Sequence, residues 1–224
     1  MGVPLNMDKS EGISLLSRDG KGELESKNSV AYLGYTIGHD YISISDKKIH
    51  KIKKKISYLI YQNLLQPLKN GTYTRKRLST IDWDYLVAVS QVRRYLYGGL
   101  TDSTLKAYLY GRAPRVNFKG LMSYYPLVNN TSQLSNLDAW MIYTFRQALR
   151  LRETLWMKKH KLLLPCPVPN WIQDVDKLGK VRVGLVMYDL SIPSFLLINK
   201  AMKASITRRG LGSVVNPRSI YYAS

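Results

Sequence analysis

The chain has 224 residues, with 34 Lys+Arg against 15 Asp+Glu, which gives a formal net charge of +19 at pH 7. A hydrophobic fraction of 45% is ordinary for a globular protein and argues against wholesale disorder. A single cysteine excludes an internal disulfide framework and a zinc site made of several thiolates. No apolar run long enough to span a membrane and no signal-peptide pattern is present. The composition predicts a cytoplasmic protein that binds polyanions, nucleic acid first and anionic membrane second.

The N-terminal part of the chain contains the predicted β structure. Residues 11–29 are rich in Gly, Ser, Lys and Glu, which predicts a loop or flexible insertion. Two β-rich runs follow within residues 31–45 and are separated by Gly38, His39 and Asp40. A glycine-containing break between two such runs predicts a β-hairpin.

An amphipathic helix is predicted immediately after this hairpin. Ser45 stands where an N-cap is expected, and Asp46 falls at the positive end of the helix dipole. Spacings of three and four predict an apolar stripe: Ile49, Ile52, Ile56, Leu59 and Ile60. The opposite face carries six lysines: Lys47, Lys48, Lys51, Lys53, Lys54 and Lys55.

The rest of the chain is predicted to be mostly helical, so the fold class is mainly α with a small β-hairpin. One helix is expected from Ser79 or Thr80 to Tyr95, another from Thr101, and a long one from Thr131 or Ser135. Prolines 165, 167 and 169 predict a stiff linker. Beyond it lie an apolar stretch, VGLVMYDL, and a basic helical run around 200–209.

The sequence offers few catalytic constellations. The three histidines, at positions 39, 50 and 160, have no ligand spacing and are expected at the surface. Asp82 and Asp84 are spaced as in DxD metal motifs, but acids are favoured in the first turn of a helix for electrostatic reasons alone. No phosphate-binding glycine loop occurs, and no metal site is predicted. Residue chemistry alone predicts a binding module without an enzyme centre.

Tyrosines accompany the basic residues along the chain, and 17 of them occur against 3 Phe and 4 Trp. A tyrosine ring can stack on a base while its hydroxyl reaches a phosphate. A membrane-surface helix is the main competing interpretation of the lysine helix. Such helices expose a broad Trp, Phe and Leu face, which this one lacks, so nucleic-acid binding without membrane binding is favoured.

Three motifs in order resemble those of reverse transcriptases. Residues 2–10, GVPLNMDKS, look like the palm element called motif D, and residues 32–37, YLGYTI, resemble the primer-grip hairpin. The lysine helix resembles the basic helix that follows this hairpin in the bacterial enzymes. Residues 123–141 are similar to the thumb of abortive-infection and other defence-associated reverse transcriptases. The resemblance is good over residues 2–60, fair over 75–155 and thin beyond the prolines.

This resemblance implies the end of a reverse-transcriptase palm followed by a helical thumb. Residues 1–45 would be the last palm elements, 46–164 the thumb, and 165–224 a C-terminal extension. The [YF]-x-D-D hairpin that holds two metal ions in the family is not in this sequence. The chain would therefore be inactive as a polymerase by itself. Mg²⁺ and deoxynucleoside triphosphates (dNTP) would bind only together with the missing palm portion.

The resemblance also assigns roles to individual residues. Lys9 would lie near the incoming triphosphate, and Tyr32, Leu33, Gly34 and Tyr35 would position the primer terminus. The remaining expected contacts with the primer–template backbone are basic: Lys47, Lys51, Lys54, Lys55, Arg93 and Arg94. Each assignment has a plainer alternative, in which Lys9 is a surface lysine and the tyrosines are ordinary strand residues.

Two hypotheses about function follow. In the first, the chain is the C-terminal fragment or subunit of a defence-type reverse transcriptase, binds RNA or DNA primer–template, and has the fingers and palm as its partner. In the second, it is a free-standing basic RNA- or DNA-binding helical protein without polymerase activity. An inert truncation product is a third possibility, since its unpaired hairpin edge would favour aggregation.

Overall fold

The computed structural model describes residues 15–16, 26–71, 81–161 and 175–215. Among these residues the protein is mainly helical, with small sheets, as the composition and periodicity predict. The helices are α1 (Asp46–Leu64), α2 (Gln66–Lys69), α3 (Trp83–Tyr97), α4 (Asp102–Leu109), α5 (Thr131–His160) and α6 (Phe195–Arg209). The strands are β1 (Leu15–Leu16), β2 (Ser26–Lys27), β3 (Ser29–Tyr32), β4 (Tyr35–Gly38), β5 (Ile42–Ile44), β6 (Lys180–Val183) and β7 (Val186–Asp189).

The predicted hairpin at 38–40 is confirmed as the connection between β4 and β5. Strand β3 adds to it, so the sheet is antiparallel in the order β3-β4-β5. Residues Leu33 and Gly34 join β3 to β4 with φ of 49° and 89°. Positive φ at both central residues is typical of the tight hairpin turn that matches strand twist. The segment 11–29, predicted as a loop, contributes the short parallel pair β1-β2 and the first residue of β3.

Helix α1 confirms the predicted lysine helix. Its N-cap is Ser45, Asp46 lies in its first turn, and its buried residues are Ile52, Ile56, Leu59, Ile60 and Leu64. These residues lie in the main core and pack mostly against α3 and α5. Burial of these five large aliphatic side chains holds α1 against the core through its apolar face. The lysine face therefore points toward solvent.

Polar side chains cap the N-termini of α3, α4 and α5. Asp82 accepts a hydrogen bond from the Tyr85 amide at the start of α3, and Thr101 accepts one from the Thr104 amide at the start of α4. Asn130, rather than Thr131 or Ser135, caps α5 by accepting from the Gln133 amide at 3.0 Å. The predicted caps Ser79 and Thr80 lie outside the described residues.

Residues 175–215 pack into the same hydrophobic core as the preceding helices. Phe195, Ile198 and Met202 of α6 are buried at 0 to 1% exposure in one cluster with Phe145 of α5. Helix α6 itself packs on both α4 and α5. The predicted boundary at 164/165 and the proline linker lie outside the described residues.

Strands β6 and β7 form a second antiparallel hairpin that the sequence reasoning missed. It pairs Lys180 with Asp189 and Val183 with Val186, and Gly184 occupies the turn with a φ of 61°. Its inner face rests on α3, where the ring of Tyr188 meets Trp83 edge-on at 5.2 Å between centroids. The alternation of basic and valine residues over 180–183 was the available signal.

Buried charges tie these elements together. Arg152 of α5 is fully buried, and it donates from both terminal nitrogens to the two Asp82 oxygens. Asp138 of α5 caps α6 by accepting from the Phe195 amide at 2.6 Å. Burial raises the pKa of Asp138, while bonds from Ser194 and from backbone amides oppose that shift.

Candidate nucleic-acid interface

The outward face of α1 is a continuous basic and aromatic strip. Lys47, Lys51, Lys54, Tyr58 and Tyr61 recur at spacings of four and three, and all five are exposed. At 1.5 Å per residue this strip extends for about 21 Å along the helix. Lys48 and Lys55 flank it and are also exposed, whereas Lys53 is half-buried with its ammonium 5.2 Å from the centre of the Trp140 ring.

The lysines of α1 have no acidic partner among the described residues. The side-chain ion pairs that those residues form with one another involve other positions: His39–Asp40, Arg93–Asp189, Arg146–Asp176 and Arg152–Asp82. Like charges three or four positions apart on a helix repel by about 0.2–0.5 kcal/mol per pair. The packed isoleucine edge holds the helix in spite of that repulsion. A polyanion placed along the face would relieve it.

Tyrosines continue the strip toward the C-terminal end of α1. The Lys55 ammonium lies 5.2 Å from the centre of the Tyr58 ring, and the Lys69 ammonium lies 5.2 Å from that of Tyr61. The rings remain 53% and 40% exposed, so a base or ribose can reach them. Lys69 was not predicted as part of this surface, because it lies in α2, beyond the end of the lysine helix.

The β3–β4 turn stands at the N-terminal end of the strip. Tyr32 and Leu33 are 62% and 78% exposed. The Gly34 carbonyl accepts from the Ser45 amide at 2.9 Å, which joins the turn to the start of α1. A Cβ at position 34 would lie 3.2 Å from Lys48 Cε, so glycine permits this close approach of turn and lysine face.

Tyr35 differs from its neighbours because it points into the protein. Its hydroxyl donates to the Tyr124 carbonyl at 2.9 Å, and its ring meets Tyr125 edge-on at 5.5 Å. Burial raises the pKa of Tyr35 above its ordinary value. Tyr35 is thus held as a support for the turn, while the exposed surface is formed by Tyr32, Leu33 and, from the neighbouring segment, Tyr124.

The two predicted arginines on α3 have different environments. Arg93, which the sequence predicts to contact nucleic acid, has its side chain buried against the C-terminal hairpin. Its guanidinium lies 3.4 Å from the Asp189 carboxylate and donates to the Ser191 carbonyl at 2.6 Å. Arg94 is exposed.

The part of the chain that the structure describes contains no group of three His, Cys, Asp or Glu side chains that could bind a metal ion. Asp82 caps α3 and pairs with Arg152, so the Asp82–Asp84 spacing has a structural explanation. Lys9, the predicted triphosphate contact, lies outside the described residues.

Comparison with known proteins adds no relative: no family model, curated protein or solved structure matches this chain. Among the described residues, no helix combines the length and the apolar character that a bilayer crossing requires.

Proposed function

We propose that this chain binds double-stranded nucleic acid along the exposed face of α1. The observation that supports it is the strip of lysines and tyrosines on a helix whose one acidic residue, Asp46, lies at its first position, before the strip begins. Each strand of a duplex carries one phosphate per about 3.4 Å of the duplex axis, so a strip of about 21 Å is long enough to contact several phosphates. Lysine neutralises phosphate without reading sequence, which suits a protein that holds any primer–template.

The finer proposal is that this face belongs to the thumb of a reverse transcriptase. It is supported by the order of the sequence motifs and by the close connection of the YLGY turn to the basic helix. In that arrangement Tyr32 and Leu33 contact the primer end, Tyr35 supports the turn from below, and α1 follows the duplex backbone. The two-metal chemistry, with its Mg²⁺ and dNTP, would come from the fingers and palm.

Binding by the α1 face is tested with matched lysine variants. One variant combines Lys47→Gln, Lys51→Gln and Lys54→Gln; the control removes the same charge from exposed lysines elsewhere, at Lys106, Lys180 and Lys200. Fluorescence anisotropy with an RNA–DNA hybrid at 0.1 M salt should show about tenfold or greater weakening in the first variant only. Equal weakening in both variants would mean that net charge, rather than this face, accounts for binding.

The polymerase assignment is tested by mixing this chain with a fingers–palm fragment of a defence-associated reverse transcriptase. Restored DNA synthesis is the expected result. If no complex forms and no synthesis occurs, while the chain still binds duplex alone, the free-standing binding protein is the correct assignment.

A further inference from the structure

A second basic surface lies where the loop after α4 meets the end of α6. A pocket of about 320 Å³ opens there. Its lining includes Arg115 and Phe118 from the loop, Ser205 and Arg209 from α6, and Gly212 and Ser213 from the turn that follows. A volume near the lower end of the usual range for small-molecule pockets suits a ligand of modest size.

The described residues that line this pocket carry positive charge. Arg115 and Arg209 are the charged residues among them, and none of them has a carboxylate. Arg209 donates to the Pro114 carbonyl, which fixes the side chain without neutralising it. Arg115 makes no hydrogen bond or ion pair with any residue that the structure describes. Two guanidinium groups with unused N–H donors match the oxygens of a phosphate group.

Ser205 and Ser213 supply hydrogen-bond acceptors to the pocket, whereas the arginines supply donors. Ser213 donates its hydroxyl proton to the Gly210 carbonyl at 2.8 Å, and its oxygen lies 2.8 Å from the Ser205 oxygen. Because the Ser213 proton is used, Ser205 donates to Ser213, and both serine oxygens keep only lone pairs for a ligand. A ligand that fits must therefore bring hydroxyl or amino donors as well as an anionic group.

We propose that this pocket binds the sugar–phosphate unit of a nucleotide, either as a free nucleotide or as the 5′-phosphorylated end of a strand. The phosphate lies between Arg115 and Arg209, and ribose hydroxyls donate to the serine oxygens. The side chains of Val116 and Phe118 supply an apolar wall for the rest of the ligand. This site shares no residue with the α1 face, so nucleotide binding in the pocket does not depend on duplex binding by α1.

Adenosine monophosphate, with adenosine as its phosphate-free control, is the probe, and calorimetry gives the dissociation constant. Arg115→Gln and Arg209→Gln should each weaken binding of the monophosphate by about tenfold, as expected for a lost charge-assisted hydrogen bond. Arg112→Gln, an equal charge change at an exposed residue outside the lining, should leave it unchanged. Adenosine should bind far more weakly than the monophosphate.

A second variant blocks the pocket and keeps both arginines. A Cβ at Gly212 would meet no atom within 4 Å, so Gly212→Leu can be accommodated while it takes up pocket space. It should abolish binding of the monophosphate, whereas Gly99→Leu, at an equally open exposed position outside the pocket, should not. Binding that survives both Arg115→Gln and Gly212→Leu would overturn the proposal.

The source of the phosphate is distinguished in the triple-lysine α1 variant, which removes the competing duplex face. Tighter binding of a 5′-phosphorylated oligonucleotide than of its 5′-hydroxyl form assigns the pocket to strand ends. Equal binding of both oligonucleotides, together with retained binding of the monophosphate, assigns it to free nucleotides. Loss of monophosphate binding in the α1 variant itself would contradict a separate site.

Discussion

At the scale of single residues, the buried pair of Arg152 and Asp82 makes the sharpest stability prediction. Arg152→Met should cost about 3–5 kcal/mol, because it leaves the Asp82 carboxylate buried without a counter-charge. Urea unfolding measures this loss. Adding Asp82→Asn, which retains an oxygen to cap α3, should recover much of it; a double variant as unstable as the single one would contradict this explanation.

Asp102 predicts a pH dependence of stability. Burial raises its pKa above the ordinary aspartate value, although the neighbouring Tyr97 hydroxyl opposes the shift. The carboxyl group of Asp102 therefore binds its proton more tightly in the folded state than in the unfolded state. The stability that protonation contributes is lost as the pH rises through the raised pKa. The non-ionising variant Asp102→Asn avoids that loss.

The stability of Asp102→Asn relative to the natural protein should thus increase as the pH rises from the ordinary aspartate pKa through the raised one. Parallel urea titrations at several pH values measure the difference. A difference that stays constant with pH would mean that the carboxyl titrates in the same way in the folded and unfolded chains.

The buried arginines show what residue patterns leave undetermined. A long cationic side chain beside an apolar stripe is usually exposed, so local residue patterns do not predict that Arg93 or Arg152 is buried. Their partners are distant, since Asp82 is 70 positions before Arg152 and Asp189 is 96 positions after Arg93. Pairing over such separations depends on how the helices pack, which local periodicity does not contain.

At the scale of elements, the β3–β4 turn combines backbone strain with exposure. Leu33 has a φ of 49° although it is not glycine, and its side chain is 78% exposed. Asparagine tolerates this conformation better, so Leu33→Asn should stabilise the fold by about 1 kcal/mol. A contact between Leu33 and the primer end would be lost at the same time.

Thermal unfolding and duplex anisotropy of Leu33→Asn measure the two effects together. We expect higher stability with weaker binding, which is the pattern of a residue retained for function. Lower stability would show that the leucine is required by the fold, and unchanged binding would remove Leu33 from the proposed interface.

Local patterns predicted some elements and missed others for identifiable reasons. The lysine helix and the long α5 were predicted because their apolar residues recur at helical spacing, although the capping residue of α5 is Asn130 and was not predicted. The β6–β7 hairpin was missed because Val183, Leu185, Val186 and Met187 crowd around Gly184, and these consecutive apolar residues mask the alternation of a strand. The inward position of Tyr35 depends on Tyr124 and Tyr125, far along the chain.

At the scale of the whole molecule, the C-terminal segment should unfold together with the helices before it. Phe195 is fully buried in the common core, so Phe195→Ala should reduce the free energy of unfolding by about 3–5 kcal/mol. It should also lower the midpoint of a single unfolding transition that every probe reports. Tryptophan fluorescence and circular dichroism follow different parts of the chain. Leu211→Ala, at an exposed residue, is the control. Two separate transitions would contradict a single cooperative core.

The charge of +19 also belongs to this scale. Composition predicts attraction to polyanions but not where they bind. In the structure the basic residues fall into different environments. Lysines of α1 are exposed, some arginines are buried in ion pairs within the fold, and Arg115 and Arg209 line a separate pocket.

The salt dependence of duplex binding tests the central claim most directly. Each phosphate contact contributes about 0.9 to the slope of log K against log salt concentration. The triple variant Lys47→Gln, Lys51→Gln and Lys54→Gln should therefore show a slope shallower by about 2 to 3, and the Lys106, Lys180 and Lys200 control should keep the natural slope. A natural slope in both variants would contradict binding of the duplex along α1.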